Sequence, residues 1–192
     1  MLYKDGTPRE SASAHQAVKT SALGSRPGSG GVKVMSDATV ASYLQTLQQL
    51  LSNDPSAPTD IALPGHLDRS KLDFSLNSLD EIDRYLNLLH GNEREIIGQP
   101  LLSTIWTIGM YVGEIIRRAA PEKKYEWVVI GEDGVPAGDT TIKQVGIDAV
   151  RALRAGSGDM SMPSLRVLRI ILRGSKARSI VSYARGAIGL LE

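Results

Sequence analysis

The stretch W-T-I-G-M-Y-V-G-E-I-I-R-R, from Trp106 to Arg118, is the most apolar part of the chain and governs how other elements must pack. The eighteen residues 96–113 carry no charge, close to the length of about 20 apolar residues that crosses a bilayer as a helix. Pro100 interrupts this run, and only thirteen residues separate it from Glu114. We therefore expect no membrane segment but a buried helix, opened by Pro100 in its first turn and ending at about residue 120.

Two glycines four residues apart interrupt the apolar surface of this helix. Gly109 and Gly113 share a stripe with Leu102 and Trp106, because side chains three or four residues apart lie on one helix face. A glycine stripe lets another backbone come close, as it does between dimerising membrane helices. In a soluble domain we expect a crossing helix or strand to occupy it.

Glu114 is the one acidic residue of the stretch, and its role separates the possible functions. It precedes Arg117 by three residues and Arg118 by four, the spacing at which an acid and a base on one helix face attract each other. A buried carboxylate without a partner would cost several kcal/mol, so we expect an arginine one turn on or the backbone of the adjacent hairpin to be its partner, rather than a group outside the protein. The alternative is a catalytic carboxylate in a pocket, where burial raises its pKa.

Composition argues against several kinds of site. The 192 residues are 42% hydrophobic and 22% charged, as expected for one globular domain with a core. Cysteine is absent, and His15, His66 and His90 lie far apart, with no second ligand one helical turn away. Neither a G-x-S-x-G nucleophile motif nor a phosphate loop occurs. We therefore predict no metal, no cofactor and no catalytic residue.

Residues 1–34 are rich in Ser, Gly, Ala and Pro, and this composition buries too little apolar surface to offset the entropy of ordering. We expect them to form a flexible tail and residues 35–192 to form a single globular domain. Met35 stands directly before a helix start, which makes it a candidate first residue of the physiological protein. No secretory signal is visible, so a cytoplasmic location is expected.

The first half of the domain is predicted to be helical. Ser36 or Asp37 suits the N-cap of a helix over about 37–52, whose apolar residues recur at helical spacing. Ser78 and Glu81 have the spacing of a capping box, in which each side chain satisfies the other's backbone N–H. The helix that they begin should end at Gly91.

The second half adds a short antiparallel hairpin, so the predicted class is α+β and mainly helical. Strand composition at 125–134 and 140–147 predicts the hairpin, which we expect to pack on the Trp106–Arg118 helix. Further helices are predicted over residues 148–158 (D-A-V-R-A-L-R-A-G-S-G), 163–175 and 176–192.

Charge is divided unevenly along the chain, although the net charge is only +1. Residues 36–120 hold six basic against eleven acidic residues, and residues 121–192 hold eleven against eight. An acidic face able to cover a basic site on a partner protein is predicted from Asp80, Glu81, Asp83, Glu93 and Glu95. The alternative for the first three is a favourable interaction with the dipole of the helix that they begin.

A basic row near the C-terminus suggests a second class of partner. Arg166, Arg169 and Arg173 fall at i, i+3 and i+7, on one face of a predicted helix. Contacts from such a row to phosphates would produce salt-dependent nucleic-acid binding. A solvated helix face, or pairing with the acidic residues of 73–95, is the other explanation.

The segment G-M-Y-V-G-E-I-I-R-R at 109–118, followed by a tryptophan on the expected strand, resembles a pattern in small uncharacterised bacterial proteins. The matching residues are Gly109, Tyr111, Gly113, Glu114, Arg117 and Trp127. The resemblance implies an α+β domain without assigned catalytic residues, and similar proteins beside secreted toxins imply an immunity-type role. We therefore expect a non-catalytic domain that binds another protein, with nucleic-acid binding or an enzyme using Glu114 as alternatives.

Overall fold

Helices and a four-stranded sheet make up the part of the chain that the structure describes. The computed structural model describes residues 31–52, 60–92, 96, 98–131, 149–174 and 177–190. Its α-helices are α1 (Asp37–Leu51), α2 (Leu79–Gly91), α3 (Gln99–Ala119), α4 (Pro163–Arg173) and α5 (Ile180–Ile188). Its strands are β1 (Lys33–Val34), β2 (Glu126–Gly131), β3 (Ala149–Arg154) and β4 (Met160–Ser161). The predicted α+β class is confirmed.

The sheet is antiparallel throughout, in the order β1-β2-β3-β4. In the central pair, Trp127 lies opposite Leu153 and Val129 lies opposite Arg151. Because successive side chains of a strand point to opposite faces, these four residues share one face of the sheet. That face meets α3, since Arg151 stacks on the ring of Trp106. The sheet and α3 together position the candidate site.

The structure corrects the prediction for residues 148–158. A helix there is wrong, because Ala149–Arg154 pairs with β2 along its whole length. Ala, Leu and Arg favour helices, but the preference is worth only tenths of a kcal/mol per residue, and long-range strand pairing overrides it. The returning strand predicted at 140–147 lies outside the described residues.

The sheet also reaches into the segment predicted as a tail. Lys33 and Val34 pair with Val129 and Val128 as an edge strand, and the Met35 N–H donates to the Trp127 carbonyl at 2.9 Å. The last two residues of the predicted tail therefore belong to the sheet. Residues 1–30 of the predicted tail lie outside the described residues.

Helix ends follow the local signals in most places. The Ser36 side chain accepts the Thr39 N–H and begins α1 as expected. Pro100 lies in the first turn of α3, and the helix ends at Ala119, just before Pro121. Within the described ranges, no helix, α3 included, is both long enough and apolar enough to cross a membrane.

The capping box predicted at the start of α2 does not form. Ser78 has helical backbone angles, φ −65° and ψ −15°, and its side chain makes no capping bond. Its hydroxyl instead donates to the Ser75 carbonyl at 2.7 Å and lies 2.7 Å from the hydroxyl of Tyr111. Glu81 accepts the N–H of Asp68, thirteen residues upstream. A long-range hydrogen bond therefore replaces the local one that the spacing indicates.

The glycine stripe of α3 is a packing surface, as predicted. A Cβ at Gly109 would lie 2.7 Å from the Cα of Ser164, at the start of α4. A Cβ at Gly113 would lie 2.5 Å from the indole carbon Cζ2 of Trp127 on β2. Real Cβ atoms do not approach other atoms so closely, so α4 and β2 reach α3 only because these two side chains are absent.

Gly113→Ala should therefore destabilise the fold, by about 1–3 kcal/mol as for other overpacked cores. The added methyl group would push the Trp127 ring away from α3. Urea unfolding measures the loss. Gly91→Ala is the matched control, because a Cβ at Gly91, the last residue of α2, would meet no atom within 4 Å. Equal stability of Gly113→Ala and the wild type would contradict the packing role.

Candidate functional site

Glu114 lies fully buried at the contact between α3 and β2. Arg117 donates to its carboxylate through Nε at 3.0 Å and Nη2 at 2.9 Å. The indole N–H of Trp127 donates to Oε1 at 2.9 Å, and Nε of Arg118 lies 3.5 Å from Oε2. The predicted arginine partner is confirmed. The contribution of the hairpin is a tryptophan side chain rather than its backbone.

These partners decide the protonation state of Glu114. Burial by itself raises the pKa of the carboxyl, but hydrogen bonds from Arg117 and Trp127 and the charges of Arg117 and Arg118 outweigh it, so the pKa lies below its ordinary value. The enzyme alternative requires the reverse, a raised pKa in a pocket. Glu114 also lines neither of the two cavities described below. Its geometry is that of a carboxylate that joins a helix to a strand.

The predicted acidic face is largely used inside the protein. Glu81 is only 4% exposed, accepts from Nε of Arg84 at 2.8 Å, and lies 3.7 Å from Nζ of Lys71. Asp83 accepts the N–H groups of Ile180 and Val181, at 2.7 and 3.2 Å, and so caps the start of α5. Buried Glu81 is therefore not part of an open surface, and half-buried Asp83 uses its carboxylate inside the protein. Binding of a partner by the acidic face stays a prediction.

The other members of the predicted acidic face are divided. Asp80 is exposed in the first turn of α2, where its charge suits the helix dipole. Glu93 and Glu95 lie outside the described residues. Asp80 is thus the one member that the structure describes on an open surface.

The predicted basic row is not one open surface either. Arg166 is half-buried, with its guanidinium carbon 5.0 Å from the centre of the Tyr183 ring and its Nε enclosed. Arg169 is half-buried as well, and Arg173 is exposed. Both already interact with other groups of the protein. The three arginines share a helix face, but they do not present it equally to solvent.

Histidine contributes no metal site in the described part of the chain. His90 uses Nδ1 to bond the Ile171 carbonyl at 2.8 Å, while His66 lies exposed in a 3-10 turn. No group of three His, Asp or Glu side chains among the described residues is placed to hold a metal ion. His15 lies outside those residues.

A cavity of about 320 Å³ lies where α1, α3 and β3 meet, and we call it the Arg151 cavity. Arg151 stacks between two rings, with its guanidinium carbon 4.1 Å from the centre of the Tyr43 ring and 4.4 Å from the Trp106 ring. It also donates through Nη2 to the Tyr43 hydroxyl. The walls are mainly apolar and include Leu47, Leu50, Ile61 and Met110.

Arg151 carries a charge that no described carboxylate neutralises. Its Nη1 is enclosed and has no hydrogen-bond partner among the described residues. Exposed Asp60 lines the same cavity but forms no ion pair with Arg151. Burial lowers the pKa of Arg151 while Tyr43 opposes the shift, and an arginine still keeps its charge at neutral pH. The two rings supply about 0.5–2 kcal/mol each, which leaves the hydrogen-bonding need of the guanidinium unmet.

Sequence reasoning missed this site for a physical reason. Tyr43 reads as one more core residue of α1, and Arg151 as an exposed residue of a helix that does not exist. Their contact joins residues 108 positions apart, which no local pattern encodes. The one signal available was Trp106 on the glycine stripe, which pointed to the side of α3 that meets the sheet.

Replacing Glu114 tests the buried carboxylate. The pKa of Glu114 is lower in the folded than in the unfolded state, where it is about 4.3. The charged carboxylate therefore stabilises the fold above a pH of about 4.3, and this stabilisation is lost as the pH falls through the pKa of the folded state. Glu114→Gln should lower the free energy of unfolding at pH 7 by about 1–3 kcal/mol, and the difference from the wild type should shrink towards pH 3. Urea unfolding at both pH values measures it.

The control for that experiment is Glu126→Gln. Glu126 also pairs with an arginine, Arg154, at 3.1 Å, but both side chains are exposed, so the loss should be much smaller. A destabilisation by Glu114→Gln that is the same at pH 7 and pH 3 would contradict the assigned charge state.

Replacing Asp83 tests whether this acid caps α5 or serves a partner. Asp83→Ala should cost about 0.5–2 kcal/mol, as the loss of other N-caps does, and should speed amide exchange in α5. Asp80→Ala, on the same helix but exposed, should leave that exchange unchanged. If amide exchange in α5 is unchanged in both variants, Asp83 does not cap α5 and returns to the predicted acidic face. Urea unfolding and hydrogen exchange followed by NMR provide the two measurements.

No protein-family model, curated protein or solved structure matches the chain. The resemblance to small bacterial proteins therefore stays a prediction. Four of its six residues share one structural explanation, because Gly113, Glu114, Arg117 and Trp127 meet in one cluster. Any assignment of function to this chain depends on the geometry of its own residues.

Proposed function

We propose that the protein is a non-catalytic domain that binds another protein, and that the Arg151 cavity receives part of that partner. One observation carries the proposal. A guanidinium held between two aromatic rings lines a mainly apolar cavity with an unpartnered donor and no described counter-ion. An anionic group brought by a partner would neutralise it.

The cavity favours a carboxylate attached to a small apolar body. Its volume of about 320 Å³ is at the lower end of ligand pockets, which suits one or two residues rather than a long segment. The C-terminal residue of a partner chain combines the required parts. Its carboxylate would face Arg151, its side chain would lie on Leu47, Leu50 and Met110, and its amide N–H could bond Asp60.

The buried acids support binding rather than acid-base catalysis. Hydrogen bonds from Arg84 lower the pKa of Glu81 against the effect of burial, and the pKa of Glu114 is lowered as described above. Carboxylates held in their charged form by arginines stabilise a fold but are poor proton donors. The immunity-type role implied by the resemblance is the specific form of this proposal, in which a toxin supplies the carboxylate.

Nucleic-acid binding through Arg166, Arg169 and Arg173 is the weaker candidate. Phosphate contacts along a duplex need several cations on an open surface, and Arg166 is enclosed on one side by Tyr183.

The binding test uses two acetylated dipeptides ending in leucine, one with a free carboxylate and one amidated. We expect the free acid to shift the NMR signal of the Trp106 indole N–H saturably and to bind about tenfold or more tightly than the amide. Arg151→Gln should remove this difference. Arg154→Gln, three residues away on the same strand and outside the cavity, should keep it.

Co-expression with the products of neighbouring genes extends the test to proteins. A complex that survives Arg154→Gln and is lost in Arg151→Gln supports the proposal, provided that both variants unfold in urea as cooperatively as the wild type. Equal shifts by the acid and the amide, or a complex indifferent to Arg151→Gln, would overturn it.

A further inference from the structure

A second cavity, of about 380 Å³, lies between the start of β2, β4, α4 and α5. We call it the Arg166 cavity. Three basic side chains line it, from Lys123, Arg166 and Arg178, and Asp159 is its one lining acid. The net charge of the lining side chains is therefore +2, from three basic residues and one acid. It shares no lining residue with the Arg151 cavity and does not depend on the function proposed there.

Arg166 is the most constrained of the three cations. It stacks on Tyr183, and its Nε is enclosed without a hydrogen-bond partner among the described residues. Burial and the nearby charges of Arg169 and Arg178 lower its pKa, while Tyr183 opposes them. Positive charges therefore lie close to a half-buried guanidinium whose Nε is enclosed, an arrangement that a bound anion would stabilise.

Asp159 does not neutralise this group. Its carboxylate accepts the Ser157 hydroxyl at 2.8 Å and makes no ion pair with a described residue. Lys123 donates one proton to the Ala187 carbonyl at 2.6 Å, and its ammonium group has two further protons to offer. The internal contacts therefore leave donors and positive charge available inside the cavity.

Hydroxyl groups supply further donors. The Ser161 hydroxyl lies 2.6 Å from the hydroxyl of Tyr183, and Ser182 lines the same space. Burial raises the pKa of Tyr183 to about 12, so that its hydroxyl keeps its proton at neutral pH. Guanidinium, ammonium and hydroxyl groups that line one space suit an oxyanion with several acceptor oxygens.

We propose that the Arg166 cavity binds a phosphate monoester or inorganic phosphate. Such a group carries a charge of about −1.5 to −2 at pH 7, which matches the net positive charge of the side chains that line the cavity. Each phosphodiester of a nucleic acid carries only one negative charge. Because Nε has no open surface, an oxygen reaches it only when the guanidinium turns towards the cavity. Unlike a nucleic acid, a single phosphate group needs neither an aromatic surface for stacked bases nor an extended groove.

The test is NMR titration of the full chain at constant ionic strength with three probes. These are inorganic phosphate, a short phosphoserine peptide and a twelve-residue oligothymidylate. We expect saturable shifts at Ser161 and Ser182 with phosphate and with the peptide. Similar affinities indicate a free phosphate compound as the natural source, and a markedly tighter peptide indicates a phosphorylated partner. Preferential binding of the oligothymidylate would overturn the proposal.

Variants assign the effect to the cavity. Arg178 is exposed, so Arg178→Gln should fold normally and weaken phosphate binding by about tenfold or more. Arg166→Gln should weaken it further. Arg185→Gln, exposed on α5 and outside the cavity, is the matched control and should bind as the wild type does. Two results would overturn the proposal. One is that the shifts do not saturate at about 20 mM phosphate, a concentration that would reveal even weak binding. The other is that Arg178→Gln and Arg185→Gln weaken phosphate binding equally.

Discussion

The buried carboxylate of Glu114 is the constraint on which the arrangement of α3 and the sheet depends. A charge with no exposed surface must be neutralised, and two arginines one turn later on α3 provide opposite charge at the solvent side. The remaining hydrogen bond comes from Trp127, whose ring reaches α3 only because Gly113 has no side chain. Four residues of one sequence pattern are thus explained by a single contact, and none of them needs a catalytic role.

The same side of α3 also forms one wall of the Arg151 cavity. Trp106 precedes Gly113 by seven residues, which is about two helical turns, so both face the sheet. Trp127 and Arg151 lie on the sheet face that meets them. The contact that buries Glu114 therefore also sets the distance at which Trp106 stacks on Arg151. The Glu114 contact and the Arg151 cavity thus share one surface of α3, separated by two turns of helix.

Local signals predicted the helices well, because a cap, a proline or a glycine acts through its immediate neighbours. Ser36, Pro100 and Pro121 mark real helix ends, and the two glycines of α3 mark real close contacts. Interactions between distant residues produced the errors. The helix expected at 148–158 is a strand because β2 pairs with it, and Asp83 leaves the predicted acidic face because α5 uses it as a cap. Arg151 was missed for the same reason.

The cap supplied by Asp83 also bears on the order in which the molecule assembles. Helix α5 has only nine residues, and isolated helices shorter than about 12–15 residues are marginal in water. Its first N–H groups depend on a carboxylate 97 positions earlier in the chain. Ser179 caps the Ser182 N–H locally, so α2 supplies only the long-range part of the capping. The Arg166 cavity, which has α5 as one wall, is therefore complete only when α2 and α5 are in contact.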